Sequence, residues 1–221
     1  MKNIATILFS IVFIQLSISQ DFRPPSVPLI AHDPYFSIWS PSDRLYDRET
    51  VHWTGRNHPM HSLIRIDGKT YRLMGAMPGA LEPVKQMSVK VYPTRTIYEF
   101  QNYLINIQLV FTSPALPSDL DLFSRPVTYI SWVVKTIDGK PHDVQLYFDC
   151  SGEIAVNNTD QNLKWDSPAI DGLQTVRIGS ADQPILKKRG DDLRIDWGYA
   201  YLSVPNTQKT QTMVGERGSK P

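Results

Sequence analysis

His52, His58 and His61 fall within ten residues of one another, and histidines at such density invite a zinc site. Their spacing matches no established zinc pattern, and no helix places two of them on one face. They therefore read as hydrogen-bonded side chains rather than ligands. Just upstream, Asp43, Asp47 and Glu49 could supply the paired carboxylates of glycoside hydrolysis, a mechanism that needs two acids at a defined separation across the bond. Loop carboxylates tied to Arg44, Arg48 or backbone amides are the simpler reading. Ser40 and Ser42 occupy no Gly-x-Ser-x-Gly frame, so a Ser-His-Asp hydrolase is unsupported, and there is no Gly-rich phosphate loop. Cys150 is the single cysteine. Beside the apolar run 144–148 it reads as a small buried residue, since a nucleophilic thiol needs a nearby base and a depressed pKa. Asp191 and Asp192 offer too few oxygens for calcium, and the charged cluster 187–192 reads as a solvated loop tip. Asn157-Asn158-Thr159 is a formal glycosylation sequon. The residues thus assign no catalytic, cofactor-binding or metal-binding position, and no cofactor is expected.

Aromatic side chains raise a different chemistry. Five tryptophans (Trp39, Trp53, Trp132, Trp165 and Trp197) accompany ten tyrosines. Exposed rings on a sheet stack against sugars, whereas buried ones fill a core or an interdomain surface. Trp132 alternates in phase with Ile130 and Val134, which places it inside.

The elements that must position these groups are strands. Ile105, Ile107, Leu109 and Phe111 alternate with polar residues, the two-residue period of a half-buried strand. Residues 63–66 and 69–73 flank Asp67-Gly68, a hairpin signal, because Asp and Gly accept the positive φ of a two-residue turn. Residues 129–136 and 144–148, around Asp138-Gly139, predict a second hairpin with a longer loop. Further strands are expected at 175–178, 193–197 and 199–204. Residues 20–34 hold four prolines and read as an extended lead-in. The one helical stretch, 118–123, is a single turn closed by Pro126. Short strands with regular turn signals predict an all-β fold, an antiparallel β-sandwich preceded by an extended Pro-rich N-terminal lead segment.

Length and charge narrow the class further. The 221 residues carry 23 Lys plus Arg against 22 Asp plus Glu, too even a balance to steer the chain to nucleic acid or an anionic membrane. Met1-Lys2-Asn3, an uncharged run to Ile18, and small residues at Ser17 and Ser19 have the layout of a secretory signal peptide cut before Gln20. That apolar core is short for a membrane span, so no stable anchor is expected and the destination is periplasmic or extracellular. One thiol gives an exported domain no internal disulfide, and stability must come from the core.

Longer runs then become recognisable. Arg23-Pro24-Pro25-Ser26-Val27-Pro28-Leu29 and His32-Asp33-Pro34-Tyr35-Phe36-Ser37-Ile38-Trp39-Ser40 resemble the opening of the glutaminase A family of secreted amidohydrolases. So do Thr50-Val51-His52-Trp53-Thr54-Gly55, the stretch from Leu116 to Tyr129, Tyr147-Phe148-Asp149-Cys150-Ser151-Gly152-Glu153, and Trp197-Gly198-Tyr199-Ala200-Tyr201-Leu202. The resemblance implies a leader at 1–19, a lead segment at 20–83 and a β-sandwich domain at 84–221, incomplete at its C-terminus. In that family a larger helical catalytic domain follows, similar in style to the α/α toroids of glycoside hydrolases, and no family catalytic residue maps onto positions 1–221. The expected role is a non-catalytic N-terminal domain, or a fragment of one, supporting that helical domain as its partner. The alternative is a carbohydrate-binding module, its aromatics meeting a carbohydrate or other small molecule. A small hydrolase using the carboxylates and histidines of residues 32–61 ranks last.

Overall fold

The computed structural model describes residues 23–207 and 209–215; the expected leader, 1–19, lies outside the described residues. Strands dominate: β1 (Val27–Asp33), β2 (Phe36–Ser40), β3 (Met60–Ile66), β4 (Lys69–Met74), β5 (Lys85–Tyr92), β6 (Arg95–Gln101), β7 (Ile105–Thr112), β8 (Tyr129–Thr136), β9 (Val144–Cys150), β10 (Leu163–Asp166), β11 (Leu173–Ser180) and β12 (Ala200–Pro205). One helical turn, α1 (Leu120–Phe123), is capped by the Asp119 carboxylate, which accepts from the Leu122 N–H. All the strand pairings are antiparallel.

Two sheets, in the orders β5-β6-β7-β8 and β4-β3-β9, face each other. Ile105, Ile107, Leu109 and Phe111 of β7 are fully buried, while the residues between them are half-exposed. Across the core, the Trp132 indole N–H of β8 donates to Ser62 Oγ of β3 at 3.1 Å, and the Trp132 ring meets Phe148 of β9 edge-on. The architecture is therefore a β-sandwich. The Pro-rich lead is extended and contributes β1, which pairs with β2 as a hairpin. Val27, Leu29 and Ile38 of that hairpin join the same core, and the Thr96 hydroxyl of β6 donates to the Pro28 carbonyl at 2.7 Å. Strands β3 and β4 precede residue 84 and β9 follows it, so one sheet draws on both halves of the chain.

The turn at Asp67-Gly68 closes the β3–β4 hairpin with φ of 48° and 87°, the primed geometry that matches strand twist. The second expected hairpin does not form. Strand β8 pairs with β7 and β9 pairs with β3, so residues 137–143 carry the chain from one sheet to the other. Alternation gives each strand an oily face but does not say whether two such faces lie side by side or stack about 10 Å apart. Here they stack. His142 secures the crossing: its ring sits 2.6 Å from Asp67 Oδ2 and 3.0 Å from Asp138 Oδ1, joining the turns at one end of both sheets.

Residues 193–197 also depart from expectation. They form no strand, because their backbone groups are taken by other partners: Arg194 N–H donates to Asn157 Oδ1, Ile195 N–H to the Tyr35 carbonyl, and the Ser180 hydroxyl to the Asp196 carbonyl. The neighbouring charged cluster is tethered, since Lys188 Nζ lies 2.7 Å from the buried Asp196 carboxylate. A third sheet, β10-β11-β12, covers the expected strands at 175–178 and 199–204.

The two-sheet packing predicts unequal costs for neighbouring substitutions on β7. Leu109→Ala should lower the unfolding free energy by about 3 kcal/mol. Gln108→Ala, on the outer face, should cost less than about 1 kcal/mol. Urea unfolding of both variants checks this, and equal losses would contradict the sandwich.

Candidate functional site

The three histidines are divided between two environments. Strand β3 places His61 on the outer face of its sheet, directly opposite Asp149 of β9. His61 Nδ1 lies 2.7 Å from Asp149 Oδ1, and Nε2 lies 3.1 Å from Glu49 Oε2 in the covering loop 41–59. Tyr147, two residues before Asp149 and therefore on the same face, donates its hydroxyl to Asp149 Oδ2 at 2.8 Å. Gly75 supplies the clearance: its φ is +82°, and a Cβ there would stand 2.4 Å from His61 Cδ2. Burial alone would discourage the imidazolium, but its hydrogen bonds to the Asp149 and Glu49 carboxylates outweigh it and push the His61 pKa up to about 9. With a carboxylate on each nitrogen, this ring is a held cation rather than a general base.

His52 and His58 lie apart from it, their ring centroids 5.1 Å from each other. Both are buried. Burial, then the neighbouring His52 and Arg194, drives the His58 pKa down to about 3, so His58 stays neutral. His52 is lowered too, by burial and then by Arg194. The Arg194 guanidinium is itself buried and fixes several segments at once. Nε and Nη2 donate to the Asn157 carbonyl at 2.8 and 2.6 Å, and Nη1 donates to Thr54 Oγ1 at 3.0 Å and to Asp192 Oδ1 at 2.5 Å. Thr54 Oγ1 in turn sits 3.1 Å from His52 Nδ1. Beside this network opens a polar cleft of about 360 Å³, bordered by Arg56, Asn57, His58, Glu153, Asn158 and Arg194.

Other sequence-level candidates scatter. Asp43 is exposed and pairs with Arg23 at 3.1 Å, not with Arg44 or Arg48, and Asp47 faces solvent. Neither carboxylate is brought to Glu49 by a contact. Ser42 Oγ donates to the Arg44 carbonyl, and Ser40 is buried. Cys150 is half-buried rather than fully enclosed, and desolvation pushes its thiol up to about 12, which keeps it protonated. Asp192 is tied to Arg194 and Arg56. Asn157, the sequon residue, is buried with its Oδ1 accepting from Arg194 N–H. Of the aromatics, Trp53 and Trp165 are about half exposed, and Trp197 meets Tyr35 edge-on at 5.2 Å. Among the described residues no three His, Cys, Asp or Glu side chains are grouped to hold a metal ion.

No chemical motif singles out Asp149, Tyr147 or Arg194, and Asn157 stands out only as a sequon. Asp149 carried a signal, since an aspartate within a strand is unfavourable unless something engages it. Arg194 carried none, because its partners come from distant loops.

Two family models cover this arrangement of strands. One, described as Domain of unknown function (DUF5127), matches residues 94–219, more than half of the chain. The chain belongs to the DUF5127 family. The second, Domain of unknown function (DUF4964), matches residues 5–86 and so takes in His52, His58 and His61. Among curated proteins, a relative named Glutaminase A from Aspergillus oryzae is 29% identical over 191 residues, covering 82% of this chain and 27% of its own length. One from Arthroderma benhamiae, named as a probable glutaminase, is 21% identical over 208 residues, covering 82% of this chain and 23% of its own. The chain thus spans about a quarter of the length of the curated relatives it matches, and its likeness is to a glutaminase A-like N-terminal region. No solved structure matches it.

In this DUF5127 chain the His61 cation predicts a definite pH dependence. Its folded pKa of about 9 lies above the ordinary 6.5. The stability it contributes is therefore fully present below about pH 6.5 and lost as pH rises through about 9. The shift corresponds to roughly 3 kcal/mol. His142, raised by Asp67 and Asp138, acts with the same sign, so the decisive quantity is a difference between proteins. Urea unfolding of the native chain and of His61→Gln, from about pH 6 to pH 10, should give curves that converge at the alkaline end. A gap independent of pH would show that His61 is neutral.

Proposed function

We propose that this chain is the non-catalytic N-terminal β-domain of an exported glutaminase-like hydrolase, acting as a scaffold against a helical catalytic domain. The observation that carries this reading is an apolar strip on and around α1. Leu120 is 73% exposed and Tyr129 60%, and Leu116, Leu122, Phe123 and Val127 are also largely open. So many large apolar side chains within fourteen residues are costly to leave in water and mark a surface meant to be covered. The names of the two curated relatives, and the quarter of their length that this chain spans, support a hydrolase whose remaining length supplies the catalytic part. Export rests on the leader-like layout of residues 1–19. Among the described residues the held His61, the protonated Cys150 and the scattered carboxylates supply no nucleophile beside a free base.

Two measurements on the chain itself check this. Incubation with glutamine should release no ammonia above background. Leu120→Ser with Phe123→Ser should reduce binding of a hydrophobic dye while shifting Tm by less than about 3 °C, because neither side chain is buried. Glutamine turnover by the purified chain would refute the scaffold reading.

A further inference from the structure

From the polar cleft beside Arg194 we infer a binding site for a neutral polyhydroxylated ligand, a single pyranoside unit, contacted by His58, Asn57, Asn158, Arg56 and Glu153. The starting point is His58. It is 1% exposed and borders the cleft, yet among the described residues neither ring nitrogen has a hydrogen-bond partner. A buried polar group without a partner costs roughly 1–3 kcal/mol and calls for an explanation. A neutral imidazole presents one donor and one acceptor, so its complement is a group that can do both, which is the property of a hydroxyl.

The rest of the wall has the same character. Asn57 and Asn158 each offer an amide that donates and accepts. Arg194 is matched by Asp192 at 2.5 Å, and Arg56 also approaches Asp192, at 3.7 Å. Glu153 lines the same cleft and adds an acceptor. With charge near balance, an anion or a cation would find no net field to hold it, whereas vicinal hydroxyls bridge carboxylate, amide and guanidinium groups. The cleft volume of about 360 Å³ falls within the range of small-molecule sites. Its rim is also rigid. Val51 forms bridges to Trp39 and Asn57, His52 N–H donates to the Arg56 carbonyl at 2.8 Å, and Arg194 locks Thr54 to Asn157. A rigid rim limits the ordering cost of binding.

The test is heteronuclear NMR of the imidazole side chains of the full chain. It is titrated with methyl α-glucoside, methyl α-mannoside and methyl β-galactoside, and in parallel with glutamine and with acetate. At least one glycoside should move the His58 ring nitrogens saturably, with a Kd on the order of 1 mM, while His61 and His142 stay in place. Arg56→Ala and Asn158→Ala, both at exposed positions that leave folding intact, should each weaken that response about tenfold. No movement of His58 with any glycoside overturns the inference. So does a response confined to glutamine or acetate, which would make the cleft a zwitterion or anion site, and so does a glycoside response that survives both variants. The scaffold reading is independent, since it is judged by ammonia release.

Discussion

A protonated imidazole held between two carboxylates fixes how the long loop 41–59 lies on the sandwich. His61 and Asp149 meet across two paired strands, and Glu49 is drawn down from the loop onto the same ring. Breaking such a partly buried trio from one side leaves charge without compensation, which costs more than the intact trio contributes. The trio therefore acts as a specifier of geometry. It selects one seating for a segment whose backbone has few sheet partners of its own. Arg72 reinforces the seating, its guanidinium donating to the carbonyls of Tyr46, Gly75 and Ala76.

With that loop seated, its far end acquires two faces. Toward Arg194 it presents Arg56, Asn57 and His58 to a polar cleft. On its other side Trp53, whose indole N–H donates to the Pro34 carbonyl at 2.6 Å, borders a shallow depression with Trp39, His32 and Pro34. Arg194 is the second fastening, tying the loop to residue 157 and to the 190s. A single ion trio and a single guanidinium thus position nearly every chemically interesting side chain of the N-terminal half. The strip around α1 lies outside this network, so covering it need not disturb the cleft.

Much of the frame was legible in the residues. The alternation of Ile105, Ile107, Leu109 and Phe111 predicts which face of β7 is buried, and Asp67-Gly68 predicts a hairpin that closes with both φ values positive. Phase alone turns Trp132 toward the core, against which it packs half-buried, and the resemblance to glutaminase A agrees with the curated relatives. Long-range pairing was not legible. Nothing local distinguishes a β8–β9 hairpin from a crossing between stacked sheets, because both bury the same alternating faces. The His61–Asp149 contact joins residues 88 apart in sequence, and the backbone of residues 193–197 is drawn from strand geometry by side-chain partners from other segments.

Whether a cation seats loop 41–59 is decided by the protonation state of His61 at neutral pH. Heteronuclear NMR of the imidazole nitrogens, read near pH 7.5, well under the pKa of about 9, should find both His61 nitrogens protonated while His58 remains a neutral tautomer. A neutral His61 at that pH would leave loop 41–59 without the cation that joins it to the sheet, and some other contact would have to seat the loop.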